Sequence, residues 1–145
     1  MLLRYCALPY AEGVTFPFHK GHWMKRWTLI ATGLAIVFFA LALSNAVYEM
    51  TSPWFLSWHV LLRKFYSIVA FSLVGYATRR AFDEHAVARS PVATPLAIAL
   101  YSGLIEAGQA LLGSREGFAW NSIDVACGAA GGLIGDAAVR FMQRR

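Results

Sequence analysis

Charged residues are placed along this chain so that four long apolar runs lie between them. From Trp27 to Tyr48 there is no charge at all, and a helix over that stretch rises about 33 Å, enough to cross a hydrocarbon core of about 30 Å. A second run, Trp54 to Thr78, follows Pro53 and carries Arg63 and Lys64 inside it. The third, Val92 to Gly113, has Glu106 as its only charge, and the fourth, Ala119 to Val139, holds Asp124 and Asp136. Pro91 and Pro95 suit the first turn of the third helix, while Gly113 and Gly117 supply the turn before the fourth. That short connection predicts antiparallel neighbours. The pattern predicts an all-α fold, a four-helix transmembrane bundle over residues 25–145 with spans at about 27–48, 54–78, 92–113 and 119–139, preceded by a tail over residues 1–24.

Composition points the same way, since 58% of residues are hydrophobic and 14% charged, against roughly 25% charged in soluble proteins. The net charge of +5 does not indicate nucleic acid, because no continuous basic face with polar or aromatic readers accompanies it. Instead Lys20, Lys25, Arg26, Arg79, Arg80, Arg89, Arg140, Arg144 and Arg145 fall at the edges of the apolar runs. The connections Glu49 to Pro53 and Ser114 to Phe118 hold one cation between them, Arg115. By the positive-inside rule both termini and the second connection are expected in the cytoplasm, with the two cation-poor connections outside.

Met24, Lys25 and Arg26 followed by an apolar run and the small residues of 42–46 imitate a signal peptide. The uncharged run is longer than a signal core, so an uncleaved anchor is expected, with Met24 a candidate start. Cys6 and Cys127 are far apart and form no disulfide framework, and Cys127 reads as a packing residue. His19 and His22 lie near Cys6 without a fourth ligand, so neither a metal nor a cofactor is implied.

An ionisable group inside a span costs several kcal/mol unless it finds a partner or water. Counted from the expected outer helix ends, Arg63 lies about 13 Å deep, Glu106 about 10 Å and Asp124 about 8 Å. Charges from three helices therefore converge on one depth. Gln109 shares the Glu106 face, Ser102 lies four residues before Glu106, Lys64 adjoins Arg63, and Arg115 closes the group from above. His59, one turn before Arg63, is a weaker candidate for the same entrance. On the fourth helix, Asp124, Gly128, Gly131 and Gly135 share a face, and Gly128-x-x-x-Gly132 and Gly131-x-x-x-Gly135 allow a neighbour to approach closely. Asp136 and Arg140 form an i, i+4 pair expected at the interface. The polar set admits two uses: an internal ion network that fixes helix register, or a polar pocket open to the outer leaflet, where cations bind phosphate and carboxylates bind hydroxyls or move protons.

The ordered set Ile105-Glu106-x-x-Gln109, then Arg115, then Asp124-x-x-x-Gly128-x-x-Gly131-x-x-x-Gly135 resembles the VanZ-like family, named after an accessory protein that lowers teicoplanin susceptibility. In the second run, Lys64-Phe-Tyr-Ser67-x-x-x-Phe71-x-x-x-Gly75 is similar to the family's basic-histidine-aromatic-glycine segment, with Ser67 in the histidine's place. Gly128 stands where the family usually has asparagine. The resemblance implies a bacterial inner-membrane protein of the cell envelope and carries over Glu106, Gln109, Arg115 and Asp124.

The expected function is binding of an envelope component, such as a lipid-linked glycan intermediate, in the outer-facing pocket. Membrane lipids and that precursor are the expected partners. Two other classes stay open: a membrane enzyme using Glu106 or Asp124 as acid or base, and a structural subunit of a membrane complex. Asp124 is expected within salt-bridge or one-water reach of a cation, Arg63 or Lys64 first and Arg115 next.

Overall fold

The computed structural model describes residues 25–44, 47, 50, 58–85, 90–112 and 118–145, less the side chains of Lys25, His59, Phe118 and Ala119. The tail with Cys6, His19 and His22, as well as Arg89 and Arg115, lies outside the described residues. The described chain is all-α, with four helices: α1 Lys25–Ala42, α2 His59–His85, α3 Ala93–Leu111 and α4 Phe118–Gln143. Segments of α2 and α4, Val60–His85 and Trp120–Gln143, are long and apolar enough to cross a membrane. α1 and α3, at 18 and 19 residues, are apolar and shorter.

The ends of α1 and α2 depart from the hydrophobic runs. α1 stops at Ala42, six residues short of Tyr48, where Leu43 N–H still reaches Phe39 O and Ser44 N–H closes a tighter turn on Leu41 O. α2 begins at His59, not Trp54, and runs to His85, past the expected end at Thr78. Its polar extension is held by one pair within the helix and by bonds to α1, which hydropathy does not register. Arg79 pairs with Asp83 one turn on at 2.8 Å, Glu84 Oε1 accepts the Trp27 N–H at the start of α1 at 3.3 Å, and His85 meets the Thr28 hydroxyl at 2.8 Å. A carboxylate at a helix N-terminus also suits the backbone dipole.

α4 packs in parallel with α2 and antiparallel to α3, and α1 runs antiparallel to α2 along its far side. Glycines explain how α4 fits between two neighbours. A Cβ on Gly131 would lie 2.5 Å from the Phe71 Cβ, and one on Gly135 would lie 2.6 Å from Ser72 O, both on α2. Cβ atoms on Gly128 and Gly132 would come within 2.6 Å of the Ser102 Cβ and 2.8 Å of the Pro95 Cα, both on α3. The expected single glycine face is thus two stripes, each serving a different helix. Phe71, Val74, Ile98 and Ile105 form the core, with Leu34, Phe38 and Phe39 of α1 laid against it.

Candidate functional site

Lys64 and Asp124 form an ion pair between α2 and α4. Both side chains are about nine-tenths buried, at 9% and 11% exposed. Close approach makes this possible: Gly128, one turn past Asp124, leaves room for Ser102, whose hydroxyl donates to the Asp124 backbone carbonyl at 3.0 Å. The Asp124 carboxylate is therefore held by α2, and its backbone carbonyl by α3. The Lys64 ammonium also sits 5.7 Å from the Trp120 ring centre, within cation–π range.

Beside this pair lies a partly open cleft of about 280 Å³. Arg63 and Ser67 of α2, Glu106, Gln109 and Ser102 of α3, and Asp124 of α4 give it a polar side. Phe38, Leu41 and Ala42 of α1, with Ala70, Phe71 and Ile105, give it an apolar side. Arg63 and Glu106 are each engaged in further polar or electrostatic contacts. Consecutive residues on a helix point about 100° apart, which is why Arg63 faces the cleft while Lys64 faces α4.

Of the six polar residues singled out by sequence, Arg63, Glu106, Gln109 and Asp124 line the cleft, and Lys64 adjoins it through Asp124. Arg115 and the His59 side chain lie outside the described residues. Gln109 has an additional structural task, since its Nε2 donates to Ala42 O at 2.9 Å and satisfies a carbonyl at the end of α1. Tyr101 donates to Ala35 O at 2.6 Å on the same helix pair. The contribution of α1, and of Tyr66 at the rim, was not foreseen, because neither carries a charge that counting along a helix would flag.

Asp136 and Arg140 do pair as i, i+4 neighbours, but the setting is not peripheral. Asp136 is 4% exposed, lies 3.5 Å from Arg79 Nε, and accepts from the fully buried Thr94 hydroxyl at 3.4 Å. The cluster joins α2, α3 and α4 at the end away from the cleft. Its signal was the parallel pairing of α2 with α4: once Lys64 opposes Asp124, the Arg79 region opposes Asp136.

No family model, curated protein or solved structure matches the chain. The candidate site therefore stands on geometry.

Proposed function

We propose that this chain is a multi-pass membrane protein of VanZ-like type, with both termini in the cytoplasm of a bacterium. On this reading it lies in the inner membrane and binds an amphipathic envelope component, such as a lipid-linked glycan intermediate. The distribution of side chains supports the membrane setting. Leu61, Phe65, Val69 and Leu73 make an exposed apolar stripe on α2, and Leu96, Leu100 and Leu104 make another on α3, while Lys64, Arg79, Asp124 and Asp136 are buried. In water that arrangement exposes far more contiguous apolar surface than a monomer tolerates. In lipid it satisfies both sets, since charges inside a bilayer face protein and pair. The core helices of a soluble protein are mostly covered, whereas the apolar windows of α2 and α4 are only 28% and 44% buried.

The observation that carries the binding function is the two-sided cleft, where Arg63, Glu106, Gln109 and Asp124 face an aliphatic and aromatic wall. The polar side can hold a phosphate and hydroxyls, and the apolar side a hydrocarbon chain. The test uses protein reconstituted in phosphatidylcholine nanodiscs with farnesyl phosphate, with bound lipid read by native mass spectrometry. Retention of farnesyl phosphate well above that of phosphatidylcholine, lost in an Arg63→Gln, Glu106→Gln double variant that still folds, is expected. Equal retention by the variant, or none by the parent, overturns the function. An antibiotic-susceptibility assay of a deletion strain, with teicoplanin as the probe, tests the envelope role separately.

A further inference from the structure

The cleft has a rim as well as a floor, and the rim is set by how α1 is attached. At one end α1 is tied to α2: Glu84 and His85 bond its first turn, Trp27 packs edge-on against Tyr76 with ring centres 5.7 Å apart, and Arg80 lies 5.0 Å from the Trp27 ring centre. At the other end the bonds go to α3 instead. Gln109 holds the Ala42 carbonyl, and Leu43 packs on Gly108, where a Cβ would lie 3.2 Å from its Cδ2. α1 is thus fastened to α2 near Trp27 and to α3 near Ala42. The cleft lies on the α1–α2 seam toward the Ala42 end, with Leu41 and Ala42 on one side and Arg63, Tyr66 and Ser67 on the other. Its most exposed lining residues are one from each side of that seam, Leu41 at 41% and Tyr66 at 48%.

Resting on the membrane setting and binding function proposed above, we infer that the gap between Leu41 and Tyr66 is a lateral portal. Through it a lipid with a polar, hydrogen-bonding head passes from the bilayer into the cleft. Three features select such an amphiphile over a water-soluble ligand. The rim residues are an aliphatic side chain and an amphipathic aromatic one, the latter suited to a boundary between apolar and polar surroundings. The lining is apolar on the α1 side, beside the rim, and charged on the α2–α3 side opposite. The neighbouring α2 surface, with Phe65 and Val69, is exposed and apolar, so the portal opens onto a face that lipid would cover. A head entering there leaves its chain in the seam and meets Arg63, Glu106 and Gln109.

The test places single cysteines in a Cys6→Ser, Cys127→Ser background in nanodiscs and labels each with pyrenyl maleimide, with farnesyl phosphate as probe. Labels on Leu41→Cys and on Tyr66→Cys are expected to lower farnesyl phosphate occupancy by about tenfold, as blocked gates do. Labels on Leu29→Cys and Leu104→Cys, on exposed faces away from the seam, should leave it unchanged. Loading farnesyl phosphate before labelling should have the opposite effect, trapping it so that its release into empty phosphatidylcholine discs slows by about tenfold. Release at the unlabelled rate, or equal loss with a label at position 104, overturns the portal. Failure of the binding function is distinguishable, because it appears in the unlabelled background protein as no retention at all.

Discussion

Lys64 and Asp124, sixty positions apart in sequence, meet as a buried ion pair that joins parallel helices. Neither partner is dispensable alone, because a single buried charge keeps its full desolvation cost without the attraction that offset it. Asp124→Asn or Lys64→Met should therefore each destabilise the folded state by about 3–5 kcal/mol. The Lys64→Met, Asp124→Leu double variant should recover most of that loss, since an apolar pair removes both charges together. Thermal unfolding in detergent measures the cycle. A double variant as unstable as the singles would mean that the pair does more than neutralise itself.

The glycines of α4 should divide sharply from the glycine of α1. Gly131→Ala and Gly135→Ala force a methyl against α2 backbone or Cβ atoms, and overpacking of this kind costs about 1–3 kcal/mol. Gly33 has nothing within 4 Å of a built Cβ, so Gly33→Ala should be neutral or stabilising by up to about 1 kcal/mol from helix propensity. Melting temperatures of the three variants decide this.

Gln109→Leu removes the donor to Ala42 O but keeps most of the side-chain volume. The expected cost to global stability is small, about 0.5–1.5 kcal/mol. The local effect should be larger, with faster amide hydrogen exchange at Leu43 and Ser44, whose bonds close the end of α1. Unchanged exchange there would show that Leu43 on Gly108 anchors α1 without help.

At the opposite end, Asp136→Asn should destabilise more than Arg140→Ala. Asp136 is buried and faces Arg79, Arg140 and Thr94, whereas the Arg140 side chain is 32% exposed and can extend its head outward. Reversal of that order in chemical denaturation would place the burden of the cluster on Arg140.

Reporter fusions test the proposed topology. A fusion after Arg145 should report the cytoplasm, and one within Thr51 to Pro53 should report the outside. The opposite result at either position would invert the bundle and turn the cleft toward the cytoplasm.

The four helices and the meeting of Arg63, Glu106 and Asp124 were legible because helical rise converts sequence separation into depth. What rise cannot convey is azimuth. Arg63 and Lys64 were equal candidates for pairing with Asp124, and only the packed helices direct Lys64 to the carboxylate and Arg63 to the cleft. The length of α2 was hidden for a different reason. Hydropathy falls at Arg79, while the backbone hydrogen bonds continue because Asp83, Asp136 and Trp27 supply partners for the polar turns. The glycine spacing announced close contact, but two interleaved stripes look like one on paper, and it takes both neighbours to separate them.

The order of synthesis gives the Lys64–Asp124 pair a temporal side. At about 5–20 residues per second, sixty residues take a ribosome roughly 3–12 s. For that interval α2 exists with its lysine and without the aspartate that will neutralise it. In a chain inserted as proposed, the insertion machinery has to shelter α2 beside water or protein until α4 arrives. A nascent chain stalled before residue 124 would hold a cation without the carboxylate that pairs with it, at a cost of several kcal/mol in lipid.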